Sequence, residues 1–450
     1  MRKFVTVVLL CELIALSLGI RSSYASEVDV LLKKLVEKGI LNASEAQEIR
    51  TETNDEIAKT EKQKQEDYKT LAKDSMPDWV KNTKLKGDFR LRYEWTKDKV
   101  SSGDITDRSR ARIRARLGVE SQVNNKLTMA VGIATGKQTD PRTRNVTLGN
   151  DVAVSDTPGS PKTVVLDYAY AQYKPAPWAT FTGGKFQNPL WRTNDWLWKD
   201  DITPEGAAVN LNYKFMPNLE LFMNDMYFIF ANEDKVGSKW PTVTAIQPGF
   251  NLGINAKTNF KAAVAYYLFS QVKGYEQFKN SSKTNTFASN SSYLFNYNSV
   301  NPSAELGFKE PFGDIPVLNG MSYFGLFGDF IYNVSSNVTT SKSGFDAGFK
   351  FGNEQVSDWG QWQTKILYAR LGRDAWLDAL TDVDRYGGKT NTKGIIAKLD
   401  YGLGKNTWLT FKYYHTTYLT KDYQGVSGTS TQIGGYAPEQ LLQVDWNMKF

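Results

Sequence analysis

Thiols and imidazoles are almost missing from this sequence: its 450 residues include one cysteine, Cys11, and one histidine, His415. Cys11 stands in the amino-terminal apolar stretch, so the rest of the chain can form no disulfide and offers no cysteine nucleophile or cysteine metal ligand. Acid–base catalysis has only His415 to draw on. By parity His415 shares a face with Leu409, Phe411 and Tyr413, an aromatic surface rather than a catalytic cleft. An enzyme is not expected, and no cofactor or metal motif occurs. After Ala25 no window approaches the roughly 18 consecutive apolar residues of a membrane helix, which excludes a helical membrane protein. Mean hydropathy is −0.45, the value of an ordinary soluble chain. The net charge of +7 falls to +5 once Arg2, Lys3, Arg21 and Glu12 leave with a signal sequence, which implies no nucleic-acid partner.

What is present begins with Met1-Arg2-Lys3, an apolar run from Phe4 to Ile20, and Arg21-Ser22-Ser23-Tyr24-Ala25, which has small residues where signal peptidase inspects. Residues 1–25 therefore read as a secretory signal cleaved after Ala25. The rival reading is a retained anchor, but the run is short for a bilayer and is interrupted by Cys11 and Glu12. Residues 26–78 read as helical. Val28, Leu31, Leu32, Leu35 and Val36 recur at helical spacing and Gly39 follows as a stop, after which Asn42-Ala43-Ser44-Glu45 resembles a capping box. The second helix has a sparse seam at Ala46, Ile49, Thr53, Ile57 and Thr60, open to either a solvated tether or a trimerising coiled-coil stalk.

At Pro77-Asp78-Trp79 the period changes from helical to alternating and remains so to Phe450. In the first strand Phe89, Leu91 and Tyr93 share one face while Arg90, Arg92 and Glu94 share the other. In the next, Ala111, Ile113, Ala115, Leu117 and Val119 oppose Arg110, Arg112, Arg114 and Arg116. A helix turns about 200° in two residues and would scatter those four arginines; a strand aligns them. Sixteen such segments start near residues 84, 109, 126, 163, 178, 205, 218, 244, 259, 300, 317, 343, 361, 391, 406 and 439. Short turns alternate with long connections at about 136–162, 187–204, 271–299, 373–390 and 419–438. An even strand count, unequal connections and 13% aromatics describe an all-β membrane protein. The expected fold is a 16-stranded antiparallel transmembrane β-barrel over residues 79–450, preceded by a short N-terminal α-helical periplasmic segment. A β-sandwich of this size would break into domains, and no linker interrupts the alternation.

An Arg or Lys facing lipid at the bilayer midplane costs about 2–4 kcal/mol, so the arginine faces must point into a wet lumen. The expected pore-lining basic residues are Arg90, Arg92, Arg110, Arg112, Arg114, Arg116, Lys214, Lys350, Lys398 and Lys412. Asp167, Asn210, Asn212, Asp346, Asp400, Asp445 and Lys449 are in register with them, which predicts a polar, mostly basic wall.

With these features the mature chain resembles bacterial outer-membrane porins, in particular those that carry a periplasmic helical segment ahead of a sixteen-stranded barrel. Leu442, Val444, Trp446, Met448 and Phe450 look like the carboxy-terminal signal that the barrel-assembly machinery reads. The resemblance also implies that the connection NPLWRTNDWLWKDDITP, within 187–204, folds inward as a constriction loop carrying Trp191, Arg192, Asp195, Asp200, Asp201 and Glu205. If its acids face the arginine ladder, a transverse field crosses the pore; alternatively the arginines only pair with the nearby Glu94 and Glu120.

The expected function is passive diffusion of small hydrophilic solutes and ions with a mild anion preference. A channel selective for phosphate or another anion, and a structural outer-membrane tether, are the alternatives. The implied location is the outer membrane of a Gram-negative bacterium, among lipid and lipopolysaccharide, with the helical segment in the periplasm. A homotrimer, and contact of residues 26–78 with peptidoglycan or a periplasmic protein, are further expectations.

Overall fold

The structure, a computed structural model, describes residues 24–75, 78–99, 105–149, 158–231, 240–288, 290–313, 321–420 and 438–450. The predicted signal lies almost wholly outside the described residues. The chain divides into two units, residues 1–81 and 82–450. In the first, α1 (Tyr24–Glu37) and α2 (Ala43–Ser75) form a helical pair, followed by the single turn α3 (Asp78–Lys81). Gly39, at a φ of 69°, ends α1, and the amides of Gly39 and Ile40 donate back to the carbonyls of Val36 and Leu35. The capping box forms: Asn42 Oδ1 accepts from the Glu45 amide, and Glu45 Oε2 accepts from the Asn42 amide, both at 2.8 Å. Leu32 is buried, and Arg50 reaches Asp29 at 2.9 Å. Within the single chain no coiled coil forms among the described residues: Ala46 and Thr53 of the seam are half-buried, Ile49 and Thr60 are exposed, and α2 is polar along most of its length.

In the second unit, alternation becomes wall. The strands are β1 (Thr83–Lys99), β2 (Ile105–Gln122), β3 (Leu127–Thr135), β4 (Val146–Thr147), β5 (Val164–Ala176), β6 (Ala179–Lys185), β7 (Glu205–Met216), β8 (Leu219–Ile229) and β9 (Thr242–Gly253). They continue as β10 (Thr258–Ser270), β11 (Ser299–Lys309), β12 (Tyr323–Asn333), β13 (Ser343–Gly352), β14 (Trp362–Leu371), β15 (Thr392–Gly404), β16 (Thr407–Tyr418) and β17 (Glu439–Lys449). The two-residue β4 pairs only with β2, beyond the end of β3. The other sixteen pair antiparallel in chain order, and β1 pairs with both β2 and β17, so the barrel closes and no strand edge is left free. Strand starts fall where the alternation placed them, except β2, which begins at Ile105, and β12, which begins at Tyr323. Leu91, Tyr93, Leu117, Val131, Tyr266, Ile395 and Trp446 form part of an exposed apolar outer face. No described helix is long and apolar enough to cross a membrane; the span is made by strands.

Connections at one end of the barrel include 177–178, 217–218 and 405–406, and the opposite end carries 136–163, 186–204, 271–298, 372–391 and 419–438. Two connections at the short-turn end, 310–322 and 353–361, are longer than the alternation implied.

The interior corrects the expectation of a polar wall throughout. Toward the long-loop end the inward faces of β10 (Ala265, Tyr267, Phe269) and β14 (Leu367, Ala369, Leu371) are apolar and buried. They are dry because connections 186–204, 271–298 and 372–391 fold in against them. Trp376 packs on Trp198, Tyr267 and Phe269 with ring centroids 4.7–5.5 Å apart. The two longest of these connections are zipped together. Asp378 accepts from Ser281, Ser282 and the Thr284 amide, and Asn285 Nδ2 donates to the carbonyls of Arg373 and Trp376. Buried backbone polar groups are thereby paired, the condition for burying a loop at all.

Candidate functional site

All six predicted arginines of β1 and β2 face inward, and each meets an acid. Across the closing seam Arg92 forms a two-pronged pair with Asp445 at 2.7 and 2.8 Å. Arg90 bonds Asn447 at 3.0 Å and lies 3.5 Å from Asp445. Arg110 and Arg112 share Glu94, Arg114 bonds Asp88 at 2.6 Å, and Arg116 reaches Asp201 at 2.6 Å and Asp167 at 3.1 Å. Glu120, the other acid considered from sequence, pairs instead with Lys86. Asp167 owes its place to a β-bulge. Gly132 pairs with Tyr168 and Ile133 with Leu166, so Asp167 is an extra residue and turns inward beside Tyr168. Alternation alone does not locate such a bulge.

The connection after β6 crosses the interior. Trp191 bonds Gln247 of β9 through its amide and carbonyl, Thr193 bonds Asp329 of β12, and Asn194 bonds Asp346 of β13 at 2.7 Å. Lys365 of β14 donates to the Thr193 carbonyl at 2.8 Å. Beyond this point Lys199 is buried among Asp382 (2.5 Å), Asp384 (3.0 Å) and Asp195 (3.1 Å), and Asp384 in turn reaches Arg92. Asp201 then meets Arg114 and Arg116 on the other wall. Burial alone would raise the Asp201 carboxyl, but Arg116 and Arg114 outweigh it and hold the group well below the usual carboxylate range. Burial likewise opposes the Lys199 charge, and Asp195, Asp382 and Asp384 overcome it, raising the ammonium above its ordinary value. Removing one partner from such a dry pair typically costs about 3–5 kcal/mol.

Three predicted site residues, Glu205, Lys350 and Lys214, stand elsewhere, and a fourth, Asp200, lines the same space without meeting the arginine ladder. Glu205 is exposed and pairs with Lys185 at 2.8 Å, away from the arginines, because it opens β7 on the outward parity. Asp200 is exposed and pairs with Arg192 at 3.1 Å. Lys350 pairs with Glu305 at 2.7 Å, and Lys214 is exposed near the short-turn end of β7, opposite Glu220 in the register.

Below the crossing segment, toward the short-turn end, lies a chamber of about 720 Å³. Its lining includes ten basic and six acidic side chains, so the charge does not cancel. Arginines on the β1–β2 side are matched by Asp88, Asp201 and Asp445. Lys449, Lys412, Lys398 and Lys365 follow on the successive adjoining strands β17, β16, β15 and β14. Lys365 escaped sequence reasoning because Leu367, Ala369 and Leu371 share its face and hide the polar phase. Among the described residues no group of His, Cys, Asp and Glu side chains is arranged to hold a metal ion.

A closed sixteen-strand barrel with an apolar outer face and a charged interior crossed by a connection is an outer-membrane porin, a channel rather than an enzyme. The sequence matches the family described as “Putative porin” over residues 101–333 and 329–450, and the chain belongs to that family. No curated protein matches it. Among solved structures it is similar to the high-pH structure of Pseudomonas putida OprB, at 10% identity over 82% of this chain and 95% of that one, with a TM-score of 0.50. It is also similar to a triple mutant of the Rhodopseudomonas blastica porin, at 10% identity over 82% and 100% of the two chains, with a TM-score of 0.42. At such identity the OprB likeness speaks to the fold alone.

Proposed function

We propose that this porin passes small hydrophilic solutes and ions by diffusion and favours anions. The observation that carries the preference is the charge imbalance of the chamber, ten basic against six acidic side chains. The excess falls on lysines rather than on the arginine ladder, whose members are engaged by acids. Residues 187–204 act as the constriction, with Trp191, Arg192, Asp195 and Asp201 fixing the segment and the paired arginines serving as its anchorage. An internal field set by side chains acts on ions more strongly than it would in bulk water. The helical pair of residues 26–78 faces the periplasm, where its exposed surface is free to meet peptidoglycan or a periplasmic protein.

Single-channel recording of the purified barrel in a planar bilayer under a potassium chloride gradient tests the reading. Stable ohmic steps with an anion-selective reversal potential are expected. Replacing Lys365, Lys398 and Lys412 by Gln should move that potential toward cations. A cation-selective wild type, or an unmoved potential in the triple variant, overturns the preference.

A further inference from the structure

The register of the sheet puts lysines directly opposite one another. Lys365 of β14 is paired with Lys398 of β15, and Lys398 with Lys412 of β16; Lys350 of β13 is the next member along the row, opposite Lys365. Directly opposed residues have Cα atoms about 4.5–5.5 Å apart, and like charges so placed destabilise a sheet. A row of this kind is a cost to the fold when nothing offsets it.

The offsets on the protein are partial. Lys398 has Asp400 at 2.7 Å. Lys365 has the Thr193 carbonyl and the face of Phe327 at 4.5 Å, and Lys412 has the face of Tyr414 at 4.8 Å. Neither Lys365 nor Lys412 has a carboxylate within 4.0 Å among the described residues. Asp195 and Asp384, the acids that the crossing segment and its neighbour bring nearest, are bound to Lys199, and Asp384 also to Arg92. On β1 and β2 the arginines keep their own acids. Lys365 and Lys412 are therefore ammonium groups of the chamber lining that no carboxylate pairs, with Lys398, held by Asp400, between them in the row.

We infer that Lys365, Lys398 and Lys412 form a binding site for a small oxyanion of two or more negative charges, such as the phosphate ion. This rests on the reading of the barrel as an anion-favouring channel and gives that reading a station. A monovalent ion offsets one ammonium of the three. A divalent oxyanion offsets two, and its several oxygens accept from neighbouring lysines at once, which are charge-assisted bonds. Strand spacing of about 4.8 Å lets one tetrahedral oxyanion bridge two adjacent ammonium groups.

The test is isothermal titration of the folded full chain in detergent with inorganic phosphate, and separately with acetate, at constant ionic strength. This reads binding whether or not the barrel conducts, so its result is independent of the bilayer recording above. Saturable phosphate binding is expected, with acetate at least tenfold weaker. The double variant Lys365→Gln, Lys412→Gln should weaken phosphate at least tenfold, while Lys405→Gln, in an exposed turn, should not change it. The single variant Lys412→Gln, which relieves repulsion and so favours folding, should weaken it at least threefold. Absence of saturable binding, equal affinity for acetate, or unchanged affinity in the folded lysine variants overturns the inference.

Discussion

Phe450 occupies the space that a side chain on Gly87 would need. The two residues exchange backbone hydrogen bonds at 3.1 Å in both directions, and the Phe450 ring lies across the position a Cβ of Gly87 would take. Phe450 thus extends the ladder between β17 and β1, and glycine there lets the aromatic ring lie flat on the seam. The same strand end carries Val444, Trp446 and Met448 in register with Tyr93, Leu91 and Phe89.

Gly87→Val should therefore impair closure of the barrel. The added side chain must displace the Phe450 ring, an overpacking cost of about 1–3 kcal/mol. The folded fraction after refolding into detergent, read as the heat-modifiable band on electrophoresis, is expected to fall. Adding Phe450→Ala should restore part of it, because the ring clash is then gone while the close approach to the Arg116 carbonyl, 2.8 Å, remains. Equal refolding of Gly87→Val and wild type would show that the ring is free to move aside.

Asp201→Asn should loosen the crossing segment. The carboxylate joins Arg114 and Arg116 and also accepts from the Arg144 amide at 3.0 Å, so its loss leaves buried guanidinium charge short of a partner. Amide exchange in residues 187–204 should quicken at least tenfold. The pH dependence follows from the lowered pKa of this group. Its stabilisation is present above the ordinary aspartate value of about 3.9 and is lost only as pH falls through the lower folded-state value. Wild-type exchange in this segment should thus be anchored as well at pH 4.5 as at pH 7, and the Asn variant should be loose at both. Loosening of the wild type already at pH 4.5 would assign the anchorage to another group.

Much of the wall was legible because a half-wet strand must alternate. Arg110, Arg112, Arg114 and Arg116 could share a face only in a strand, and the faces read from sequence are those observed. The inward fold of 187–204 was legible only through resemblance, since nothing in Trp196-Leu197-Trp198 distinguishes a loop packed on a lumen wall from one at a lipid rim. Two features were hidden for physical reasons. The bulge at Asp167 shifts parity by one residue without altering composition. On β14, inward Leu367 and Leu371 mimic an outward face because other connections shield them from water, and that obscured Lys365 and with it the lysine row.

Trp376 is the contact through which three inward connections become one body. Its indole donates to the Leu197 carbonyl at 2.8 Å, its ring meets Trp198, and its own carbonyl accepts from Asn285. Trp376→Ala should cost the interior about 3–5 kcal/mol by removing a fully buried aromatic from between Trp198, Tyr267 and Phe269. The sixteen-strand wall has its own ladder of hydrogen bonds and does not depend on this packing, so the barrel should still assemble. What should change is the interior: connections 186–204 and 372–391 lose their shared support and sample positions away from the wall. Single-channel recording of the variant is expected to show larger mean steps and increased open-channel noise, with heat-modifiable mobility retained. Quiet steps of wild-type size from a folded Trp376→Ala barrel would mean that Asp378 and the polar zipper to Thr284 hold the body without the indole.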